Sequence, residues 1–342
     1  MHPPLVEIKK FKKYFTHQGQ IVQAVNGISF EIFPQETLGL IGESGCGKTT
    51  LGQTLMGLYK PTSGDIIFKG KNLLSYKGKD RKTIHTQIQY LFQDPYSSLN
   101  PRMTVEEIIA EPLQIHSLLS PSGRKNKVRE LLGLVGLLPE HMGRFPHELS
   151  GGQRQRIGIA RALILNPIFL ICDEPVAALD VSIQAQIISL LQSLQKHMGL
   201  TYLFISHDLS IVKYLSDRVA VMYLGHLMEL APNEILYNSP LHPYTQALLS
   251  AIPIPNPTAE KARLPILLKG EIPSATSPPK GCPFCTRCPK AETICFEILP
   301  PFLPITASHS VACHLVLPKH PGNGSNSSHL LTTMSNPSKR NI

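Results

Sequence analysis

Up to about residue 250 the chain alternates short apolar runs with longer stretches of amphipathic character. The apolar runs are ETLGLIG, IQYLFQ, IFLICDE, TYLFIS and RVAVMYLG. Short runs of this kind fit buried strands, and the amphipathic stretches between them fit helices that cover a sheet. The pattern therefore predicts an α/β fold.

The pattern changes near residue 255. Of the 30 prolines, 13 lie in residues 256–342, and neither a helical nor a strand period can be followed there. The last stretch, KHPGNGSNSSHLLTTMSNPSKRNI, is polar and has too little apolar surface to order itself. We therefore expect an α/β domain over 1–255, a small irregular extension over 256–317 and a disordered tail over 318–342.

The composition excludes several classes of protein. With 342 residues, of which 42% are hydrophobic, the chain can bury a core and is not wholly disordered. No apolar stretch reaches the roughly 18 residues that cross a bilayer. The N-terminus, MHPPLVEIKKFKKYF, lacks the apolar core of a secretion signal. We expect a protein that stays on the cytoplasmic side.

The distribution of charge bears on the partners. The formal net charge is +9, but residues 1–255 carry 24 basic and 20 acidic side chains. Because a nucleic-acid-binding domain is expected to present a basic face, this near balance disfavours nucleic acid. An anionic ligand or a membrane surface is compatible with it.

A glycine-rich loop follows the apolar run ETLGLI. Residues 42–49, GESGCGKT, fit the pattern G-x-x-x-x-G-K-[ST] and lead into the helical stretch TTLGQTLMGL. In this context the loop amides surround phosphate oxygens, and the helix N-terminus adds partial positive charge. Lys48 is placed to reach the phosphates, and the Thr49 hydroxyl to bind Mg²⁺. The predicted nucleotide-binding residues here are Gly42, Ser44, Gly45, Cys46, Gly47, Lys48, Thr49 and Thr50.

Two acidic residues end the apolar run NPIFLICDE. Asp173 and Glu174 stand at the C-terminal end of a predicted parallel strand, at the edge where ligands of open α/β sheets bind. A strand that ends in two acids is common by itself, but its pairing with a Gly-Lys-Thr loop indicates catalysis. Asp173 is suited to hold Mg²⁺ through water, and Glu174 to orient or deprotonate an attacking water.

A second phosphate site is predicted at LSGGQRQR, residues 149–156. Ser150 suits the N-cap of a helix, and Asn166-Pro167 stops the helical stretch that follows. A cap explains the serine, but not two glycines followed by Gln and alternating Arg. The residues predicted to bind phosphate at this helix start are Ser150, Gly151, Gly152 and Gln153.

Together, LSGGQRQR, the Gly-Lys-Thr loop upstream and CDE downstream resemble the nucleotide-binding subunit of an ATP-binding cassette (ABC) transporter. The resemblance implies an ABC-type P-loop domain with a helical subdomain, which binds ATP and Mg²⁺. In that family two cassettes pack head to tail, with ATP between the Lys48-type loop of one and the Ser150-type helix of the other. A second ATPase subunit is therefore implied as a partner, and we expect a related paralogue in preference to an identical chain.

The resemblance also assigns individual roles. Gln93 in LFQDP matches the glutamine that approaches Mg²⁺ and the attacking water, and His207 in FISHDL matches the histidine that contacts the γ-phosphate. Phe15 is the predicted adenine-stacking aromatic, with Tyr14 as second choice and packing on the first strand as the alternative. Ala177 stands where the family's subunit-contact loop is expected to carry serine, so one cross-subunit hydrogen bond is in question.

Three longer stretches narrow the resemblance. FQDPYSSLNPRMTV at 92–105, EPVAALDVSIQAQI at 174–187 and HPYTQALLSAIP at 242–253 resemble the ATPase subunits of bacterial dipeptide and oligopeptide importers. This likeness implies two membrane permease subunits and an extracytoplasmic substrate-binding protein as further partners. It also implies a peripheral position on the cytoplasmic face of the inner membrane.

Five of the seven cysteines crowd into the C-terminal extension, and these are Cys282, Cys285, Cys288, Cys295 and Cys313. In a cytosolic chain such crowding favours a metal over disulfides. GCPFCTRCPKAETIC and HSVAC resemble the cysteine-bearing extension of the peptide importers. The resemblance implies a [4Fe–4S] cluster on four of the five, namely Cys282, Cys288, Cys295 and Cys313. Zinc accepts the same four sulfurs, and Cys285 makes the ligand set ambiguous.

We therefore expect an ATP-hydrolysing subunit that powers peptide import. Nickel importers share much of this cassette and are the main rival for substrate. A soluble cassette ATPase acting on DNA or ribosomes is disfavoured, because the chain has neither a long coiled-coil insertion nor a second cassette. An iron–sulfur module with a degenerate cassette is disfavoured by the intact Lys48, Asp173, Glu174 and His207.

Overall fold

The computed structural model describes residues 3–253 and 265–316. Within them the strands form one four-stranded and one eight-stranded sheet. The boundary predicted at residue 255 and the tail predicted from residue 318 lie outside the described residues.

The smaller sheet begins with a long antiparallel hairpin. Gln18 and Gly19 form its two-residue turn, both with positive φ, which matches the right-handed twist of the strands. The strand order is β2-β1-β4-β5. The strands are β1 (Val6–His17), β2 (Gln20–Ile32), β4 (Ser63–Phe68) and β5 (Lys71–Asn72).

The larger sheet has a parallel centre and an antiparallel edge. Its order is β11-β12-β10-β9-β3-β8-β7-β6, and the run from β9 to β6 is parallel. The parallel strands are β3 (Thr37–Ile41), β6 (Ile88–Leu91), β7 (Phe169–Asp173), β8 (Thr201–Ile205) and β9 (Arg218–Tyr223). The edge strands are β10 (His226–Pro232), β11 (Leu303–Pro304) and β12 (Ser310–Val311). The apolar runs identified in the sequence supply the parallel strands, which confirms the α/β prediction.

The larger sheet has a hydrophobic core on each face. In β7, Phe169 and Ile171 belong to the core shared with the smaller sheet, whereas Leu170 and Cys172 belong to the core shared with the helices. All four are fully buried. Burial on both faces explains why these strands read as continuous apolar runs in the sequence.

Most helices cover the second face, and several of them build a separate group between β6 and β7, whereas the helices that contain Leu51 and Ile84 bury these residues in the core shared with the smaller sheet. They are α1 (Lys48–Leu55), α2 (Gly78–Gln87), α3 (Pro95–Ser98), α4 (Val105–Ile115), α5 (Pro121–Leu134), α6 (Gly151–Leu163), α7 (Val181–Met198), α8 (Leu209–Leu215), α9 (Asn233–Asn238), α10 (Pro243–Ser250) and α11 (Thr293–Glu297). Helices α3, α4 and α5 each pack against α6. None of the helices in the described part of the chain has the length and apolarity that a bilayer span requires.

Residues 265–316 pack onto the α/β core. Phe284 is fully buried, with its ring 5.3 Å from that of Tyr223 and 5.2 Å from that of Tyr244. Strand β12 pairs antiparallel with β10, and the buried Glu229 of β10 lies 2.7 Å from His309. The segment is largely irregular, and it shares the core of the α/β fold through the fully buried Phe284, although Leu267, Phe296 and several other apolar side chains are exposed.

Candidate functional site

The loop from Gly42 to Gly47 joins β3 to α1, and its glycines are required by the backbone. A Cβ atom at Gly42 would lie 2.1 Å from the backbone oxygen of Met222, and one at Gly47 would lie 2.1 Å from that of Ala24. Both glycines also have a positive φ, +150° and +105°. Only glycine fits such close backbone approaches, and the result is a tight loop at the N-terminus of α1.

Lys48 is buried beneath this loop. Its Nζ donates to the backbone oxygen of Gly42 at 2.8 Å and to that of Glu43 at 3.1 Å, and lies 3.7 Å from Cys46 Sγ. Among the described residues, the contacts of the ammonium group are therefore with neutral acceptors and not with a carboxylate. Burial raises the pKa of the Cys46 thiol, which keeps it neutral. The loop presents a positive charge that an anionic phosphate can neutralise.

Asp173, at the C-terminal end of β7, is hydrogen-bonded to Thr49, which follows this loop. Its Oδ1 accepts from the Thr49 hydroxyl at 3.1 Å, and its Oδ2 accepts from the Tyr90 hydroxyl at 2.6 Å. Burial raises the pKa of Asp173, and these two hydrogen bonds oppose that shift. A hydroxyl and a carboxylate held together in this way are oxygen donors of the kind that Mg²⁺ prefers.

Glu174 lies between two of the other predicted residues. Its Oε2 accepts from Gln93 Nε2 at 2.8 Å and lies 3.2 Å from His207 Nδ1. The backbone of Glu174 has a φ of 47°, in the left-handed region, and its N–H donates to the Ile205 oxygen at 2.9 Å. Such a conformation costs about 1–3 kcal/mol and is concentrated at functional sites. Here it turns the carboxylate out of the strand toward Gln93 and His207.

These side chains meet at a cavity of about 530 Å³, within the usual range for a small-molecule site. Nine of the predicted residues line it, namely Ser44, Gly45, Gly47, Lys48, Thr49, Thr50, Gln93, Glu174 and His207. The remaining lining residues are Val22, Ala24 and Ala275. The cavity brings the predicted phosphate-binding loop, a glutamine, a carboxylate and a histidine together from four separate parts of the chain.

Four other predicted residues lie close to the cavity without lining it. Gly42, Cys46 and Asp173 lie behind its wall and contact Lys48 or Thr49. Phe15 pairs with Val22 in the hairpin, and its ring packs edge-on against Tyr59 with centroids 5.1 Å apart. Adenine stacking by Phe15 therefore stays a prediction.

The LSGGQRQR segment is a capped helix start, as predicted. Ser150 Oγ accepts from the Gln153 N–H at 3.3 Å, and Gln153 Oε1 accepts from the Ser150 N–H at 3.0 Å. Gly152 is buried against Ile183, where a Cβ atom would lie 2.6 Å from a methyl carbon. None of the residues Ser150, Gly151, Gly152 and Gln153 lines the cavity of its own chain.

The five C-terminal cysteines are free thiols, and all except Cys288 are buried. Burial, and then the charge of Cys295, raise the pKa of Cys282 and of Cys288. The Cys282 N–H also donates to the Cys295 oxygen at 2.7 Å, so the backbones of these two residues are in contact. Even so, in the part of the chain that the structure describes, no three His, Cys, Asp or Glu side chains form a group arranged to hold a metal ion. The donor chemistry fits a thiolate-bound metal, but the arrangement of the side chains does not show one.

Among the contributors to this site that sequence reasoning missed are Tyr90 and Ala275. Tyr90 is a buried residue of β6, and nothing in its apolar surroundings distinguishes a tyrosine that bonds Asp173 from one that only packs. Ala275 lies in an irregular proline-rich segment without periodicity. Its backbone oxygen accepts from the Gln23 N–H at 3.0 Å, which brings it to the cavity wall. No local sequence signal could have identified that contact.

Two family models match the chain. The model described as "ABC transporter" matches residues 25–177. The model described as "Oligopeptide/dipeptide transporter, C-terminal region" matches residues 228–295. The first match covers the loop from Gly42 to Gly47 (the phosphate loop), the helix start at Ser150, and Asp173 with Glu174. The second match includes part of the cysteine-rich segment.

Curated relatives match over nearly the whole chain. The putative oligopeptide transport ATP-binding protein YkfD of Bacillus subtilis is 55% identical over 91% of this chain and 95% of its own length. The oligopeptide transport ATP-binding protein AppF of the same organism is 54% identical over 91% of this chain and 97% of its own length. The oligopeptide transport ATP-binding protein OppF of Escherichia coli is 52% identical over 91% and 93%.

Solved structures of similar fold cover the α/β part. A dimeric post-hydrolysis structure of the ATP-binding cassette MJ0796, bound to ADP and Pi, superposes with a TM-score of 0.61 at 27% identity, covering 67% of this chain and 98% of that one. CbiO1 of Clostridium perfringens, part of the ABC transporter complex cbiONQ, gives a TM-score of 0.62 at 28% identity, covering 70% and 92%.

Proposed function

This chain belongs to the ABC transporter family of ATP-binding proteins, and we propose that it is the ATP-hydrolysing subunit that powers peptide import across the cytoplasmic membrane. The observation that carries this proposal is the position of Glu174, held between Gln93 and His207 at the cavity of the Gly-Lys-Thr loop. The peptide substrate is supported by the match to the oligopeptide/dipeptide transporter C-terminal region and by relatives named for oligopeptide transport.

We propose the following roles in hydrolysis. The loop amides and Lys48 bind the phosphates of ATP, and Glu174 accepts a proton from the attacking water, which Gln93 and His207 help to orient. Thr49 and Asp173 would hold Mg²⁺, a cation that neutralises charge on the phosphates. The geometry supports these roles because Glu174 and Lys48 line one cavity.

We further propose that ATP is bound between two cassettes. Ser150, which caps the N-terminus of α6, is exposed, and this helix start does not line the cavity of its own chain. A second ATPase subunit, identical or related, would present its own Ser150-type helix start to the ATP in this cavity. A similar cassette, MJ0796, is dimeric in its structure with ADP and Pi. Closure on ATP and reopening after hydrolysis would then form the working cycle.

The membrane partners are proposed to contact the surface near Gln93. Phe92, beside it, is 38% exposed, and Tyr96 of α3 is 60% exposed with Arg154 stacked on its ring at 4.0 Å. Exposed aromatic side chains next to a catalytic residue suit a surface that transmits closure to a partner. We propose that two membrane permease subunits bind at this surface. An extracytoplasmic binding protein would deliver peptide to them. The chain itself would then lie at a peripheral position on the cytoplasmic face of the membrane. Nucleic acid has no role in this scheme.

The function is tested by recovering the assembly. A tagged full chain, purified from its own cells in mild detergent, is expected to bring with it two membrane proteins and a second ATPase subunit. Reconstituted in vesicles with the peptide-binding protein, this assembly should transport labelled peptide only when ATP is present on the cassette side. Uptake that does not depend on ATP, or ATP-driven transport of nickel but not of peptide, would contradict the proposal.

We also propose that Cys282, Cys288, Cys295 and Cys313 hold a [4Fe–4S] cluster that orders the C-terminal segment. The support is chemical: four thiols, of which all but Cys288 are buried, lie in a largely irregular segment in which many apolar side chains are exposed. Cys285 is expected to be dispensable. Zinc on the same sulfurs is the alternative.

Metal analysis decides between these alternatives. Full chain purified without oxygen should be brown and should contain iron and acid-labile sulfide. Cys295→Ser should lose the iron, whereas Cys285→Ser, the matched control, should keep it. A preparation with zinc and no iron would rule out the cluster, and loss of iron in Cys285→Ser but not in Cys295→Ser would overturn the ligand assignment.

A further inference from the structure

Arg287 of the C-terminal segment forms a bidentate ion pair with the phosphate loop. Its Nη1 donates to Glu43 Oε2 at 2.6 Å, and its Nη2 donates to Glu43 Oε1 at 3.0 Å. The side chains are only 9% and 24% exposed, respectively. Two parallel, charge-assisted hydrogen bonds shielded from water form one of the stronger polar contacts available to a protein, and this one joins residues 244 positions apart.

Glu43 is part of the loop that surrounds the predicted phosphate site, yet its side chain does not line the cavity. Its backbone oxygen accepts from Lys48 Nζ at 3.1 Å, and its N–H donates to the Tyr244 hydroxyl at 2.9 Å. A shift of Glu43 would therefore move a backbone group that Lys48 contacts. The position of this residue is set from outside the site, by Tyr244 on the backbone and by Arg287 on the side chain.

Arg287 is itself firmly supported. Its N–H donates to the Phe284 oxygen at 3.1 Å, and its Nη1 lies 3.3 Å from the Tyr223 hydroxyl. Phe284 is fully buried against Tyr223 with a centroid distance of 5.3 Å. The guanidinium group therefore rests on the packed core. It is a rigid support for Glu43 and not a mobile surface cation.

The same segment reaches the site at a second place. The Ala275 oxygen accepts from the Gln23 N–H of β2 at 3.0 Å, and Ala275 lines the cavity beside Val22 and Ala24. Residues 265–316 therefore contact the site both at the phosphate loop and at the hairpin wall. A segment that only covered a sheet edge would not need either contact.

We propose that Arg287 is a positioning residue for ATP binding, which holds the phosphate loop through Glu43 in the geometry that receives the phosphates. The loop contains glycines of positive φ at residues 42, 45 and 47, and such a backbone loses much conformational freedom when it becomes ordered. A loop that is already ordered before ATP binds does not lose that conformational entropy on binding. The inference rests on the proposed function, since it takes the loop to bind ATP.

The test compares the affinity of Arg287→Ala for nucleotide with its turnover of ATP. We expect the KM for ATP, and the Kd for Mg²⁺ with the non-hydrolysable analogue AMP-PNP, to rise about three- to tenfold, because only part of a lost charge-assisted pair is felt at the loop. The kcat at saturating ATP should stay within about twofold of wild type. Lys280→Ala, which removes an exposed cation from the same segment, is the matched control and should change neither constant.

A second variant covers the case in which Arg287→Ala does not fold. Glu43→Gln leaves the C-terminal segment intact and should raise KM and Kd by a similar factor. The double variant should be no worse than either single one by more than about twofold, since both remove the same contact. Unchanged affinity in the folded variants, or effects that multiply in the double variant, would overturn the proposal. Failure of wild type to bind nucleotide would instead refute the proposed function.

Discussion

Glu174→Gln is expected to reduce steady-state ATP hydrolysis by about 10²–10⁴-fold, the usual contribution of a positioned proton-transfer group. The amide keeps the size of the side chain and its place near Gln93 and His207, but it cannot accept a proton from water. Nucleotide binding should be close to that of wild type, because Lys48 and the loop amides are unchanged. The measurement is phosphate release by the assembled complex, together with a binding titration by the same variant.

The control for this variant is Glu234→Gln, at an exposed position of α9 that does not line the cavity. It makes the same chemical change and should retain full hydrolysis. Near-normal turnover in Glu174→Gln would remove Glu174 from the role of general base. Loss of nucleotide binding in the same variant would show that the carboxylate supports the site and does not act only in the chemical step.

The parts of this structure that the sequence predicts are those encoded locally. Phe169 to Cys172 read as a buried strand because both of its faces are covered, and GESGCGKT predicts its loop because Gly42 and Gly47 admit no side chain. The capping pair Ser150 and Gln153 is likewise a local signal. Each pattern reflects a constraint that acts within a few residues, so a single sequence is enough to reveal it.

The parts that the sequence does not predict depend on contacts between distant segments. Arg287 reads as one more cation between two cysteines, and its pairing with Glu43 appears only when the C-terminal segment is folded against β9 and α10. The burial of Phe284 is hidden from the sequence for the same reason, because its ring partners are the distant residues Tyr223 of β9 and Tyr244 of α10. A segment without periodicity carries no pattern that points to its distant neighbours.

The helix start at Ser150 shows a different limit to what one sequence can predict. Its cap is present, but in a single chain it does not line the cavity. If ATP is bound between two cassettes, half of each site belongs to another subunit, and neither one sequence nor one folded chain contains it. Gln93 and His207, beside Glu174, are the opposite case. They follow β6 and β8, the parallel strands on either side of β7, and must converge with Glu174 at one edge of the sheet.

Lys48→Ala is expected to fail at an earlier step than Glu174→Gln, by raising the Kd for Mg-ATP roughly 10- to 100-fold. Lys48 is 5% exposed, and in the described part of the chain its ammonium group contacts the neutral oxygens of Gly42 and Glu43 and the Cys46 thiol. A hydrogen bond to a charged group contributes about 1.5–3 kcal/mol, and a phosphate would supply the missing negative charge. The alanine removes that contact and also the two bonds that hold the loop around it. Its effect should therefore exceed the change expected for Arg287→Ala.

The measurement for Lys48→Ala is a titration of full chain with Mg-ATP, with Lys60→Ala as control, because Lys60 is an exposed cation just beyond α1. The control should bind like wild type. Turnover by Lys48→Ala should recover partly as ATP is raised, whereas Glu174→Gln should stay inactive at any ATP concentration. An unchanged Kd in Lys48→Ala would mean that the buried ammonium only stabilises the loop, and the phosphates would then be held by backbone amides alone.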